Sequence, residues 1–266
     1  MIVDIKDIEH VYHEIINEIS PLLQKRRLMR TKIAKQLKSK APNHIRNFTT
    51  YKQPGGNISW TIYYDIPKGW TIHDAEFLFI CSVETEKRKV FINLNTRVQG
   101  IEPPKDLLRI FDLHFLERFK ERCSLKTKSH EELLAIFLWD GEISVFNKWD
   151  NESNEMRYIN HWGFSLGRYD EKYRITYFDT FVRKNMLFGV QKKWVSELLN
   201  DAIKGNDYRR NILMYKYWYD FMDEDAMIDQ IIIQTQLPDD SDDPEKRKKI
   251  KIFLTSLKLE ADNNRN

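Results

Sequence analysis

Trp162-Gly163-Phe164-Ser165-Leu166-Gly167-Arg168-Tyr169-Asp170-Glu171-Lys172-Tyr173-Arg174-Ile175-Thr176-Tyr177-Phe178-Asp179-Thr180-Phe181-Val182 is the stretch that decides the fold class. Trp162, Phe164 and Leu166 alternate with Gly163, Ser165 and Gly167, the two-residue period of a strand. The polar run Tyr169 to Lys172 turns the chain, and Arg174 to Val182 returns as the partner strand. Strands joined by so short a connection pair antiparallel, because a parallel pair needs a long crossover.

The same signal recurs upstream. Trp60, Ile62, Tyr64 and Ile66 alternate before the turn Pro67-Lys68-Gly69. Residues 75 to 83 are apolar on both faces (Phe77, Leu78, Phe79, Ile80), as a central strand requires. Residues 89 to 98 alternate again, with Val90, Ile92, Leu94 and Val98 against Asn93, Asn95 and Arg97, and Glu84 to Arg88 is the hairpin connection. Residues 142 to 182 return to strands. Helical periods surround these segments. Ile8, Tyr12, Ile15, Ile16 and Ile19 share one face, and Ser20-Pro21 predicts a second helix capped at that point, reaching about residue 40. Pro54-Gly55-Gly56-Asn57 marks a loop. One helix is expected from about Lys105 to Cys123, and another from Ser129, which has Glu132 at capping-box spacing. Two more are expected near 190 to 204 and 208 to 235, then a charged tail with a short terminal helix after Pro244. The class is α+β: a mainly antiparallel sheet with a flanking helix pair, plus N-terminal and C-terminal helices. The expected division is a basic helical arm (1–48), an α+β core (49–205) and a C-terminal helical segment with a charged tail (206–266).

With 266 residues the chain can bury a substantial core. The longest apolar run, Leu133 to Trp139, is too short to span a bilayer, and the start lacks the basic head and apolar stretch of a signal peptide. Two cysteines make neither a disulfide framework nor a four-thiolate zinc site. The expectation is a reduced, cytoplasmic protein with no membrane contact.

A net charge of +3 hides an asymmetry. Residues 25 to 46 carry Lys25, Arg26, Arg27, Arg30, Lys32, Lys35, Lys38, Lys40 and Arg46 without one acidic side chain. The remainder is acidic, with 34 basic against 40 acidic residues. Such an arm either follows the phosphates of RNA or another polyanion, or forms a solvated face that pairs with the chain's own carboxylates.

The segment Asp112 to Cys123 carries the second constellation. On a helix, Phe111, Phe115, Leu116, Phe119 and Cys123 form a core face, while His114, Arg118 and Arg122 recur at i, i+4 and i+8 on its flank. Arg109 has Asp106 and Asp112 at helical spacing, whereas Arg122 has no carboxylate three or four residues away. Half-buried guanidiniums of this kind need an anion from elsewhere, a carboxylate on the sheet or a phosphate on a ligand. In the second case the arginines hold phosphate and His114 transfers a proton. On the sheet, Arg157, Arg168 and Arg174 are candidates to face this helix. Arg157 and Arg174 read as strand-surface charge, and Arg168 is the fourth candidate site residue because Gly167 permits a close backbone approach.

His114-x-x-x-Arg118-x-x-x-Arg122, the capped helix at Ser129 and the glycine-containing meander ending in Thr180-Phe181-Val182 together resemble the small domains of BrnT and RelE toxins of bacterial toxin–antitoxin systems. The resemblance covers about residues 110 to 182. It implies a ribonuclease working through basic residues, without metal or cofactor, with an antitoxin or other protein partner. His114, Arg118 and Arg122 are the positions it carries over.

Other constellations rank lower. Glu9, His10, His13 and Glu14 could face one way on a helix, but that face is exposed and lacks supporting groups. Cys123 and His130 lack an orienting third group, and Asp74, Glu84 and Glu86 lack the lysine spacing of a metal nuclease. Met214-Tyr215-Lys216-Tyr217-Trp218-Tyr219-Asp220-Phe221-Met222 is densely aromatic, fit for core packing, a protein contact, or docking the basic arm of another copy in a homodimer. The alternative to an RNA-acting protein is a non-enzymatic binding or scaffold protein of a phage or mobile element.

Overall fold

A five-residue strand, Leu-Arg-Ile-Phe-Asp, stands at Leu108–Asp112, inside the helix expected from about Lys105 to Cys123. The structure, a computed structural model, describes residues 5–37, 40–71, 75–85, 88–95, 107–127, 129–139, 145–148, 154–205, 208–235 and 243–263. The expected Lys38, the segment from Lys105 to Asp106, Asp74 and Glu86 lie outside the described residues. The chain forms two compact units: Met1–Leu138 with Gly167–Thr180, and Trp139–Leu166 with Phe181–Asn266. These boundaries differ from 48/49 and 205/206.

The first unit is built on a sheet ordered β1 (Ile45–Lys52), β2 (Ser59–Ile66), β3 (Glu76–Glu84), β4 (Lys89–Leu94), β5 (Leu108–Asp112), β9 (Ile175–Arg183), β8 (Gly163–Asp170), the last two continuing into the second unit. Neighbours from β1 to β5 pair antiparallel, and β5 pairs with β9 in parallel, Leu108 opposite Ile175 and Phe111 opposite Phe178. The fold is thus α+β with a mostly antiparallel sheet.

Alternation along the strands serves two layers of helix. Trp60, Ile62, Ile92, Ile110 and Tyr177 pack with Ile8, Ile15 and Leu22 of α1 (Ile5–Leu37). Phe111 and Phe178 stack at 4.5 Å, and with Phe115 of α2 (Leu113–Arg122) and Phe137 of α3 (His130–Trp139) they make a ring cluster on the opposite face. Near-total burial of β3 follows from cover on both sides. Tight pairing explains the β8 glycines: a Cβ on Gly163 would come within 2.4 Å of the Val182 carbonyl oxygen, and one on Gly167 within 2.0 Å of that of Tyr177. Gly167 therefore brings two strands together rather than opening backbone to a ligand.

Two expectations are corrected in this unit, and one strand is added. Residues 5–37 are one helix with Pro21 inside it, not two in series. Ile8, Ile15, Leu22 and Met29 recur every seven residues across the proline and pack on the same cluster. Each buried aliphatic side chain is worth roughly 1.5–3 kcal/mol, so together they outweigh the ~3 kcal/mol cost of an internal proline. The helix expected from Lys105 begins only at Leu113. The added strand, β1, carries no clear apolar alternation because it is an edge strand with an exposed face, Phe48 standing 58% exposed.

In the second unit, β6 (Val145–Lys148) pairs antiparallel with β7 (Glu155–Asn160), which lies next to the first half of β8. The core joins Ile159 and Phe164 to α4 (Gly189–Ile203), α5 (Tyr208–Trp218), α6 (Glu224–Gln234) and α7 (Pro244–Asn263) through Val195, Met214, Trp218, Ile231 and Leu254. The helix expected over 208–235 is two. A 3-10 turn at Tyr219–Phe221 breaks it, and the Asp223 carboxylate caps α6 by accepting from the backbone N–H groups of Asp225 and Ala226. The short terminal helix is the twenty-residue α7, anchored by buried Leu254 and Ala261. Its clamp is Glu224, which accepts from Tyr215 Oη (2.8 Å) and Lys258 Nζ (3.1 Å) and pairs with Lys251 Nζ (3.1 Å).

Replacing Pro21 with alanine restores the missing helix hydrogen bond without touching the buried stripe. Thermal denaturation of Pro21→Ala should show a stabilised protein, by about 1–3 kcal/mol.

Candidate functional site

Asp112 fixes the phase of α2. Its carboxylate Oδ1 accepts from the Phe115 backbone N–H at 2.7 Å, and Oδ2 lies 3.8 Å from the Arg88 guanidinium. With Phe115, Leu116 and Phe119 buried, the i, i+4, i+8 row starts at exposed His114 and descends to partly buried Arg118 and Arg122. Arg118 Nη1 donates to Thr180 Oγ1 on β9 at 2.7 Å, so its anchor on the sheet is a hydroxyl. Glu117, one turn from His114 on the other side, is taken by the His130 imidazole, which also lies against Phe91.

Arg168 does not join this row. Its Nε donates to Asp179 Oδ2 at 3.1 Å and its guanidinium lies 5.3 Å from the Tyr177 ring centroid. Tyr177 belongs to the cluster under α1, whereas Phe178 faces α2 and α3. Successive residues of a strand point to opposite faces, so Asp179 holds Arg168 on one side of the sheet while Thr180 holds Arg118 on the other. The structure thus aligns three of the four expected residues along one helix edge and separates the fourth.

The basic half of α1 packs on the sheet along its apolar stripe, with its cations at the margin. Lys25 Nζ lies 5.4 Å from the Tyr51 ring, and Arg30 donates to the Ala75 carbonyl oxygen (3.4 Å) with its guanidinium 5.3 Å from the Phe77 ring. Lys32, Lys35 and Lys40 are exposed. Arg46 leaves the group, its Nε bound to Asp65 Oδ1 at 2.8 Å. Arg26, Arg27 and Arg30 are neighbours at helical spacing. Burial lowers the pKa of Arg26, and the charges of Arg30 and Arg27 lower it further. The Nε atoms of Arg26 and Arg30 are buried and find no hydrogen-bond partner among the described residues.

Arg157, expected as strand-surface charge, is 1% exposed in the second unit, because β7 is covered there by α4. Its guanidinium lies 4.2 Å from the Trp194 ring, and burial pulls its pKa down to about 10. The aromatic stretch 214–222 divides its work: Met214, Tyr215 and Trp218 are fully buried, while Tyr217 and Phe221 line a cleft of about 1380 Å3. That cleft lies wholly within the second unit and includes His161, Arg183, Lys192, Lys193 and Lys216. Sequence reasoning missed it, although Arg183-Lys184 and Lys192-Lys193 are doublets flanking one apolar segment. Burial lowers the His161 pKa to about 4, leaving a neutral imidazole beside Trp162 and Tyr217 at pH 7.

Among the described residues, no group of three or more His, Cys, Asp or Glu is placed to hold a metal ion, and no helix is long and apolar enough to cross a membrane. No family model, no curated protein and no solved structure matches this chain.

His161 and Glu224 give the second unit a two-step acid response. The unfolded chain protonates His161 near 6.5 and the folded one only near 4, so its stabilising effect is complete above pH 6.5 and lost as pH falls to 4. With screening of the partly exposed ring allowed for, the loss is on the order of 2 kcal/mol. Glu224, whose pKa is held down to about 2 by the Tyr215 hydroxyl and then Lys258 and Lys251, contributes above about 4.5 and is lost toward pH 2. In melting curves at pH 7, 5.5 and 4, His161→Phe should lose less stability over this range than the unmodified chain. An identical pH dependence would contradict the assignment.

Proposed function

We propose that the protein acts on RNA, binding its phosphates along the basic half of α1 and cleaving it, without metal, through the row on α2. The observation that carries the binding is the Arg26–Arg27–Arg30 group. Like charges at helical spacing repel, burial adds to the cost, and an external phosphate supplies the missing countercharge and acceptors. Lys25, Lys32, Lys35 and Lys40 continue the track on the same helix and just beyond it, and Lys38 belongs to it by sequence.

The cleavage reading rests on His114, Arg118 and Arg122. A guanidinium held by a neutral hydroxyl keeps its charge uncompensated, so Arg118 remains available to a phosphate. Exposed His114, one turn away, then serves as the proton-transfer group. This agrees with what the toxin resemblance implies. Arg168, already neutralised by Asp179, has no part in it.

A non-enzymatic, protein-binding reading draws on one other observation. α7 presents Ile252 and Leu259 at 61% and 60% exposed, an apolar strip for which a partner protein would be natural cover.

Anisotropy with a 30-nucleotide single-stranded RNA tests the binding. Arg26→Gln/Arg27→Gln/Arg30→Gln should weaken binding more than tenfold and reduce the slope of log affinity against log salt by about 2, the value for three phosphate contacts on a single strand. Unchanged affinity would refute the α1 reading. Incubation with total RNA in chelator tests the chemistry: fragments should form with the unmodified chain and not with His114→Ala. Intact RNA from both would leave the binding role alone.

A further inference from the structure

The cleft of the second unit has the lining of a nucleotide site rather than of a small apolar pocket. At about 1380 Å3 it exceeds the ~300–1,000 Å3 typical of small-molecule sites, so it accommodates a short length of chain. Its lining brings five cations, Arg183, Lys184, Lys192, Lys193 and Lys216, against two carboxylates, Asp220 and Asp223. Some of that charge is spent internally. Lys184 pairs with Asp220 at 2.7 Å and donates to the Tyr217 carbonyl oxygen at 3.1 Å, while Lys216 pairs with Glu260 at 2.9 Å.

Lys192 and Lys193 are different. Both are exposed on the first turns of α4; Lys192 has no ion pair among the described residues, and Lys193 reaches Glu197 only at 3.8 Å on an exposed helix face. Such a pair offers little competition to a phosphate. The same wall carries Asn200, whose Oδ1 is buried and has no hydrogen-bond partner among the described residues. A buried, unsatisfied acceptor lining a cavity calls for a donor from a ligand. Across the cleft stand the rings of Trp162, Tyr217 and Phe221, with the neutral His161 imidazole between the first two. Flat rings beside mobile cations bind bases by stacking and backbone by charge.

We infer that this cleft binds two or three nucleotides of single-stranded nucleic acid, with phosphates on Lys192 and Lys193, bases against Trp162 and Tyr217, and a base amino group or ribose hydroxyl donating to Asn200. An acidic peptide would satisfy the lysines but has no planar rings for the aromatic wall and no need of it. The inference rests on the RNA reading for the choice of polymer, yet it concerns residues separate from α1 and α2.

The test is anisotropy with a fluorescent, 5′-phosphorylated RNA trinucleotide at low salt, with polyglutamate as competitor. Lys192→Gln/Lys193→Gln, both exposed and safe for folding, should weaken binding at least tenfold. Their loss should also reduce the slope of log affinity against log salt by about 1.4, the value for two phosphates on a single strand. Asn200→Ala should weaken binding several-fold without changing that slope. The Arg26/Arg27/Arg30 triple variant should bind the trinucleotide as the unmodified chain does. Unchanged affinity in the double lysine variant, no trinucleotide binding at all, or displacement by polyglutamate at equal charge concentration would each overturn the cleft site. Because the 30-nucleotide RNA reports on α1 and the trinucleotide on the cleft, the two readings fail separately.

Discussion

One carboxylate decides how the first unit is assembled. Asp112 ends β5 and begins α2, accepting the Phe115 N–H at 2.7 Å, and so converts a two-residue period into a 3.6-residue one within a single residue. Everything on α2 inherits its direction from that turn. Phe115 and Phe119 are delivered to the ring cluster built on Phe111 and Phe178, and the His114–Arg118–Arg122 row is delivered to the flank. A cap displaced by one residue would rotate the row by about 100° and exchange arginine for phenylalanine in the core.

The sheet imposes the complementary constraint. β5 and β9 are covered on both faces, so adjacent residues serve different layers: Ile110 and Tyr177 meet α1, whereas Phe111 and Phe178 meet α2 and α3. Polar residues inherit the same parity. That is why Asp179 and Thr180, neighbours in the chain, hold two arginines on opposite sides of the sheet. A site on this unit must therefore be built along one helix edge.

Much of this was legible in the residues. The alternation at 162–182 yields β8 and β9, the both-faced apolarity of 77–80 marks a central strand, and the spacing of Phe115, Leu116 and Phe119 gives the buried face of α2. What escaped has physical causes. A buried five-residue strand running straight into a helix leaves no turn residue to mark the change, so Leu108–Asp112 reads as helix. Pro21 reads as a break because propensity is local, whereas the heptad of buried side chains that overrides it is set by the sheet beneath. The edge strand β1 has no continuous apolar face to announce it. As for the sites, the α2 row and the α1 cations were visible as spacing and composition. The cleft was not, because it is assembled from the turn at His161–Trp162, the end of β9, two 3-10 turns and three helices that no linear pattern connects.

Charge placement supplies the last step. This chain pairs its partly buried charges with care: Arg46 and His44 share Asp65, Arg168 takes Asp179, Lys184 takes Asp220, and Glu224 gathers a tyrosine and two lysines. Against that habit, the Arg26–Arg27–Arg30 group stands out, since the charges acting on Arg26 are two other guanidiniums and all of them disfavour it. From this crowding the fold gains the contacts of Arg30 with the Ala75 carbonyl oxygen and the Phe77 ring. Its apolar contacts on α1 come from Leu22, Met29 and Ile33, on the stripe beside the arginines, and glutamine at positions 26, 27 and 30 would keep the helix while removing the repulsion. A cluster whose mutual repulsion costs stability fits the proposed reading, in which an anionic ligand relieves it. The same logic separates the cleft's two kinds of lysine: Lys184 and Lys216 hold the second unit together, and Lys192 and Lys193 are left to meet whatever enters.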